Sequence, residues 1–241
     1  MGATVCDAVV ASEGLELAAA VDVVDSGGVV HGVTIASDLK TLADASCEVV
    51  VDFTVADAAR RTLPWLGLHG MHAVVGTTGF SPEDIDAFRG AFTGSNCLIA
   101  ANFAIGAVLM MKFAEQAAPY FETAEIIEYH HNGKADAPSG TAMATAERMA
   151  AASREWSQDP TRHEVIPGAR GGLGPGGIRV HGVRMHGMTA SQEVILGTDG
   201  QTLTIRHDSH DRVSFMPGVI LACRKVSGLA DPLTFGIDSL L

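Results

Sequence analysis

The sequence predicts an α/β protein in which a doubly wound domain is joined to an α+β domain with a mixed or antiparallel sheet. Two observations lead to this prediction. In residues 1–103, short apolar runs rich in β-branched residues alternate with helical patterns, which is typical of a parallel sheet covered by helices on both faces. In residues 178–208, three strand patterns follow one another without a helix between them.

Four strands and two intervening helices are predicted in the first half. The strand patterns cover residues 15–24, 47–54, 72–75 and 97–101. One helix covers residues 56–68, and we expect Pro64 to interrupt it because proline removes a helical hydrogen bond. A second helix begins after Ser81, which suits an N-cap, with Pro82 in the first turn.

The second half has a different pattern. A helix over residues 105–118 stops at Pro119, and a strand over 123–131 precedes a helix over 141–154. Residues 168–177 contain six glycines and are predicted to form a loop. Strands follow at 178–185, 192–198 and 202–208, with a hairpin turn at Asp199-Gly200, before a last helix over 214–227. We therefore expect one domain from residues 1–103 and 214–241, and another from residues 104–213.

Composition and charge narrow the classes of function. The chain has 16 Lys and Arg against 28 Asp and Glu, a formal net charge of −12. Such a chain has no general attraction for nucleic acid or for an anionic membrane surface, so we expect neither as a partner. No apolar run reaches the roughly 18 residues of a membrane span, and the four cysteines form no CxxC pair. These features predict free thiols in a cytoplasmic protein.

The side chains best suited to catalysis lie between the strand at 123–131 and the following helix. His130, His131 and Lys134 fall within five positions, and Ser139-Gly140-Thr141 opens a helix, where backbone N–H groups attract a carboxylate or phosphate. This combination favours an anion-binding catalytic site. The alternative is a polar turn followed by an N-capped helix. A metal site is not predicted, because HExxH spacing and a nearby cysteine are both absent from this segment.

Several motifs resemble those of the dihydrodipicolinate reductases. HHNGKADAPSGTA at residues 130–142 is closely similar to that family's signature. In the same order along the chain, VDFT at 51–54, GTTG at 76–79 and IRHDS at 205–209 also resemble family motifs. NF at 102–103 matches the end of a family strand, although Ala101 stands where the family usually has proline. The resemblance covers the whole chain apart from its beginning.

The resemblance implies that a Rossmann-like domain binds NADH or NADPH and that the second domain binds a cyclic imine dicarboxylate and forms a homotetramer through its sheet. The implied reaction is the reduction of 4-hydroxy-tetrahydrodipicolinate to tetrahydrodipicolinate in diaminopimelate and lysine biosynthesis. His130 would be the catalytic proton donor and acceptor, and Lys134 the second proton donor. The substrate carboxylates would be held by His131, Gly140 and Thr141. The nicotinamide and its ribose would be lined by Gly76, Thr77, Thr78, Ala100, Ala101, Asn102 and Phe103.

Asp22 bears on the choice of cofactor. It lies near the end of the first strand pattern, where an acidic residue of a dinucleotide-binding fold binds the adenosine ribose hydroxyls. Residues 21–28 contain no Arg or Lys to hold a 2′-phosphate, so NADH is favoured over NADPH. The alternative is an ordinary acidic residue at a strand end.

The beginning of the chain departs from the family pattern. A dinucleotide-binding fold normally starts with an apolar strand and a GxxGxxG loop, whereas Gly2 already resembles the last glycine of that loop. We therefore expect the first strand and most of the glycine-rich loop, about ten residues, to lie upstream of Met1 in a longer reading frame. A non-catalytic homologue that has lost cofactor binding is the alternative. A different dehydrogenase of similar architecture is disfavoured by residues 130–141.

Overall fold

The computed structural model describes residues 1–153 and 155–241. The helices are Gly2–Val10 (α1), Lys40–Asp44 (α2), Ala56–Leu68 (α3), Pro82–Ala91 (α4), Ile105–Ala117 (α5), Gly140–Ala152 (α6) and Met216–Lys225 (α7). The strands are Ala20–Val21 (β1), Val29–Val30 (β2), Val33–Ala36 (β3), Val49–Asp52 (β4), His72–Val75 (β5), Cys97–Ile99 (β6), Thr123–His130 (β7), Gly172–Leu173 (β8), Arg179–Arg184 (β9), Ala190–Thr198 (β10), Gln201–Ser209 (β11) and Leu233–Phe235 (β12). The chain divides into two compact units, Met1–Phe103 with Arg212–Leu241, and Ala104–Asp211.

A four-stranded parallel sheet, in the order β12-β6-β5-β4, forms the centre of the first unit. Residues of α3 and α4, among them Leu63, Leu66 and Phe88, pack with Ala73 and Val75 of β5 in one buried core. Val74, which alternates to the opposite face of β5, is also fully buried, and α7 contacts β4 and β5. A parallel sheet with both faces covered confirms the predicted α/β class.

A second sheet of this unit contains short strands in the order β1-β3-β2. β1 pairs in parallel with β3, and β2 and β3 form an antiparallel hairpin. The strand expected over residues 15–24 is reduced to Ala20–Val21, so that prediction is wrong for most of its length. The sequence patterns also missed α2, β2, β3 and β12, because elements of two to five residues are too short to establish a period.

The expected interruption of α3 at Pro64 is also wrong. The helix continues through Pro64 to Leu68. A proline at this position leaves the carbonyl four residues earlier without its helical donor, and that carbonyl belongs to exposed Arg60, where water can satisfy it. Burial of Leu63 and Leu66 against the sheet keeps the helix together on both sides of the proline.

The second unit contains a five-stranded sheet in the order β11-β10-β7-β9-β8. β7 pairs antiparallel with β10 and parallel with β9, which confirms the predicted mixed sheet. β10 and β11 form the expected hairpin, with Thr198 opposite Gln201 and Gly200 at a φ of +77°. α5 and α6 pack against each other and against this sheet. In the part of the chain that the structure describes, no helix has the length and apolarity needed to cross a membrane.

Candidate active site

The carboxyl ends of three parallel strands carry most of the predicted cofactor residues. β4, β5 and β6 run side by side and end at Asp52, Val75 and Ile99. Gly76, Thr77 and Thr78 follow β5, while Ala100, Ala101, Asn102 and Phe103 follow β6. The Ala100 N–H donates to the Val75 carbonyl at 2.9 Å, so the two segments leave the sheet side by side. Ligands of doubly wound sheets bind at this edge.

Asp52 organises this edge, although the sequence analysis gave it no role. Its side chain is buried, with an exposed fraction of 4%. One carboxylate oxygen, Oδ1, accepts hydrogen bonds from the Thr77 hydroxyl at 2.7 Å, the Thr54 hydroxyl at 2.8 Å and the Thr54 N–H at 3.0 Å. Because hydrogen bonds to a carboxylate are strong, Asp52 fixes the start of the loop after β4, at Thr54, and the start of the loop after β5, at Thr77. The acidic residue at the end of the apolar run Val49–Val51 was the available signal.

Gly76 is required by close packing. A Cβ atom at this position would lie 2.1 Å from Cε1 of Phe53. The Phe53 ring in turn lies 5.7 Å from the buried ring of Phe103, measured between centroids. Among the neighbouring residues of the two loops, Thr78 and Ala101 are exposed to solvent and Asn102 is half-buried. The Phe53 ring therefore fills the space that a side chain at position 76 would need, so this position of the loop requires glycine.

Asp22 lies apart from these residues in the topology. It follows β1 in the three-stranded sheet, whereas the other predicted cofactor residues follow strands of the four-stranded sheet. Its carboxylate is exposed and accepts hydrogen bonds from the N–H groups of Val24, at 2.7 Å, and Asp25, at 3.3 Å. These bonds use one oxygen, Oδ1, in a local turn.

The predicted substrate residues lie in the second unit, between the end of β7 and the start of α6. His130 is the last residue of β7 and is half-buried, whereas the following His131 is exposed. Lys134 is half-buried, and its ammonium group donates to both carboxylate oxygens of Asp136 at 2.7 and 2.8 Å. This segment therefore presents two imidazoles and an ammonium group at one end of the mixed sheet.

The N-terminus of α6 closes this segment. The Ser139 hydroxyl accepts from the Ala142 N–H at 3.2 Å, so Ser139 is the N-cap and Gly140 and Thr141 form the first turn. The helix dipole makes this end attractive to an anion. Below it, Gln192 of β10 donates to the Thr145 hydroxyl at 2.7 Å and ties the helix to the sheet.

A buried ion pair lies directly behind His130. Nδ1 of His130 is hydrogen-bonded to Oε2 of Glu128, whose side chain is fully buried. Arg184 of β9 binds both oxygens of the same carboxylate, at 2.7 and 2.8 Å. Burial lowers the pKa of His130 below its ordinary value, and the charges on Lys134 and Arg184 lower it further, while Glu128 opposes them.

The cysteines and the possible metal ligands of the described residues do not form a second candidate site. All four cysteines are free thiols, and burial raises the pKa of Cys97 to about 12 and that of Cys223 to about 11. At such values the nucleophilic thiolate is scarce. Over residues 1–153 and 155–241, no group of three or more His, Cys, Asp or Glu side chains is arranged to hold a metal ion.

Two family models match the chain almost end to end. The model described as dihydrodipicolinate reductase, N-terminus, matches residues 1–103, and that described as dihydrodipicolinate reductase, C-terminus, matches residues 106–241. The chain belongs to the dihydrodipicolinate reductase family. The resemblance identified from the motifs is thereby confirmed for both halves.

Individual relatives agree with this assignment to the family. The 4-hydroxy-tetrahydrodipicolinate reductase of Mycolicibacterium smegmatis is 50% identical over 245 residues, covering 100% of this chain and 94% of the relative. That of Nocardia farcinica is 49% identical over 248 residues with the same coverage. The dipicolinate-bound dihydrodipicolinate reductase from Paenisporosarcina sp. TG-14 superposes with a TM-score of 0.88 at 35% identity, covering 99% of this chain and 94% of the other.

A more distant similarity extends to the fold alone. An amine dehydrogenase from Mycobacterium smegmatis gives a TM-score of 0.55 at 12% identity, covering 95% of this chain.

Proposed function

We propose that this chain catalyses the reduction of 4-hydroxy-tetrahydrodipicolinate to tetrahydrodipicolinate, with NADH or NADPH as hydride donor, in diaminopimelate and lysine biosynthesis. The observation that carries this proposal is the grouping of His130, Lys134 and the N-terminus of α6 at one end of the mixed sheet. Relatives about 50% identical over the whole chain bear the name of this reductase.

The proton chemistry is assigned to His130 and Lys134. When bound, the reduced nicotinamide supplies the hydride, and the protein needs to orient it. The 4-hydroxyl group leaves as water together with a proton from the neighbouring carbon, which gives the conjugated imine. Hydride addition to that imine leaves excess electron density, so a positioned acid must supply a proton. Nδ1 of His130 is occupied by Glu128, which leaves Nε2 as the nitrogen that serves the substrate. Lys134 is the proposed second donor.

The carboxylates of the substrate need local cations, because the chain as a whole carries a charge of −12. We assign this role to His131, Lys134 and the first turn of α6 at Gly140 and Thr141. Exposure of His131 and Gly140 supports the assignment. The neighbouring reductase from Paenisporosarcina was solved with dipicolinate bound, so a protein of this fold accepts a pyridine dicarboxylate.

The cofactor is assigned to the first unit, at the loops after β5 and β6. Gly76 packs its backbone against Phe53 at the carboxyl end of β5, and Thr77 beside it is held in place by Asp52. We propose that NADH is preferred over NADPH. A 2′-phosphate would meet the like charge of Asp22, and residues 21–28 provide no basic side chain to offset it.

The test is a spectrophotometric assay of NADH oxidation with freshly generated substrate. The reductase proposal expects steady consumption that depends on both substrate and protein and is lost in His130→Ala. The alternative, a non-catalytic homologue, expects none. If NADH binds, as measured by fluorescence titration, but is never oxidised, the fold has kept its cofactor site and the proposed reaction is wrong.

We also propose that the chain forms a homotetramer through the face of the mixed sheet opposite α5 and α6. Arg206 lies 5.0 Å from the Tyr129 ring on that face and pairs with Glu193 and Asp208. Such an ordered polar surface supports contact with another copy. Sedimentation equilibrium tests this, since a mass near that of the 25.0 kDa chain alone would contradict it. Free thiols and a biosynthetic role support a cytoplasmic location.

A further inference from the structure

We propose that Glu128 and Arg184 are positioning residues for His130, holding its imidazole in one orientation and one tautomer so that Nε2 exchanges the proton with the substrate. This inference rests on the proposed function and extends it to two residues that do not themselves contact the substrate.

Strand geometry brings the three side chains together. Glu128 and His130 are two positions apart on β7, so they point to the same face of the sheet. In the parallel pairing with β9, His130 lies opposite Arg184 and Glu128 lies opposite Gly182. A Cβ atom at Gly182 would lie 3.1 Å from Oε1 of Glu128. The glycine therefore leaves the space through which the Arg184 guanidinium reaches the carboxylate.

The hydrogen bonds around Glu128 stabilise its buried negative charge. Removing a carboxylate from water costs several kcal/mol unless its lone pairs are satisfied. Glu128 is fully buried and receives two hydrogen bonds from Arg184 and one from His130. Arg184 also donates to the carbonyl of Asp136 at 2.7 Å, so the same guanidinium holds the loop that carries Lys134.

The tautomer follows from the chemistry of the acceptor. An ionised carboxylate can only accept hydrogen bonds, so Nδ1 of His130 must carry the hydrogen. Burial opposes ionisation of Glu128, but the bonds from Arg184 and His130 outweigh it and keep its pKa below the ordinary value. In the neutral imidazole, Nε2 is then a lone-pair acceptor. In the imidazolium it becomes the donor that general-acid catalysis requires.

The charged groups that face His130 give the sign of the pH effect. Glu128 favours the imidazolium, whereas burial, Lys134 and Arg184 disfavour it. Replacing Glu128 by a neutral residue removes the favourable charge and lowers the pKa of His130 further. A reaction that needs the protonated imidazole is lost as the pH rises through that pKa. The high-pH limb of the rate profile should therefore move to lower pH in Glu128→Gln.

The chain contains a matched control on the same strand. Glu125 lies on the opposite face of β7 and makes the same kinds of contact, pairing with His181 at 2.7 Å and with Arg170. It has no proposed part in the site, but it lies on the sheet face proposed for contact between copies, so the oligomeric state of Glu125→Gln is measured alongside its activity. Glu125→Gln thus removes a carboxylate from a similar but more exposed histidine–arginine cluster without touching His130.

The experiment compares pH profiles of kcat and KM for the wild type, Glu128→Gln, Glu128→Asp and Glu125→Gln. We expect Glu128→Gln to lower kcat at neutral pH by about 10- to 100-fold, by analogy with the loss seen when a carboxylate that orients a metal-bound histidine is removed, with a smaller change in KM. Its high-pH limb should move to lower pH, and Glu128→Asp, which keeps the charge, should recover part of that shift. An unshifted limb in Glu128→Gln, or an equal loss in Glu125→Gln, overturns the proposal.

A measurement on the unmodified chain covers the case in which Glu128→Gln fails to fold. The nitrogen chemical shifts of His130, followed through a pH titration by NMR, report which nitrogen carries the hydrogen in the neutral ring. We expect the Nδ1–H tautomer, and an Nε2–H tautomer overturns the positioning role. This readout needs no turnover, so it remains decisive if the proposed reaction itself is not observed.

Discussion

The close contact between Gly76 and Phe53 makes Gly76→Ala an informative perturbation of the proposed cofactor loop. The added methyl would lie 2.1, 2.5 and 2.6 Å from three ring carbons of Phe53. Real Cβ contacts are longer than 3 Å, so the ring or the loop must move. Phe53 also packs on Phe103, which limits how far its ring can turn. Overpacking of this kind usually costs about 1–3 kcal/mol.

We therefore expect Gly76→Ala to lower the free energy of unfolding by about 1–3 kcal/mol in urea denaturation. Displacement of the loop should also weaken NADH binding, measured by fluorescence titration. A double-mutant cycle with Phe53→Ala provides the control, because removing the ring removes the clash. In that background Gly76→Ala should cost less than about 0.5 kcal/mol, the range of an unconstrained surface change. A full-sized loss in the Phe53→Ala background would refute the packing argument.

The remaining predictions concern the two sites. His130→Ala and Lys134→Ala should each lower kcat by about 10²–10⁴ and leave NADH affinity nearly unchanged, and unchanged turnover in His130→Ala would refute its role. Ser139→Ala should cost about 1 kcal/mol and raise the substrate KM, whereas Ser81→Ala, which removes the N-cap of α4, should cost a similar amount with no change in KM. Asp22→Asn should narrow the ratio of kcat/KM for NADH over NADPH, and an unaltered ratio would contradict the role of Asp22 in cofactor choice.

The extent to which the fold could be predicted depended on element length. Helix α3 was predicted with its observed ends because thirteen residues establish a period, and β5 because its apolar residues 73–75 lie between Gly70 and Gly76. The strand pattern over residues 15–24 failed because its apolar residues are not buried in a sheet: Val23 and Val24 are exposed in a bend, and residues 15–19 are at most half-buried. Only Ala20–Val21 pairs with a neighbouring strand, β3.

The candidate site was predictable where chemistry is local in sequence. His130, Lys134 and the α6 N-terminus lie within a dozen residues, so their types and spacing were visible together. Arg184 lies 54 positions beyond His130 and reaches Glu128 only through the parallel register of β7 and β9. Glu128 was visible beside the histidines, but nothing in the sequence shows that its carboxylate is buried and paired. Such partners become apparent only when the register is known.

The burial of its carboxylate partner decides which cation near His130 is available to bind a substrate carboxylate. Lys134 and Arg184 are both already balanced by a carboxylate of the chain, Asp136 and Glu128 respectively. The Asp136 side chain is 64% exposed, so water can solvate it when a substrate carboxylate takes over Lys134, and the exchange replaces one ion pair by another. Glu128 is 0% exposed, and separating it from Arg184 would leave a buried carboxylate without its guanidinium partner, at a cost of about 3–5 kcal/mol. Lys134 is therefore the cation that a dicarboxylate can recruit, while Arg184 stays with Glu128 behind the imidazole.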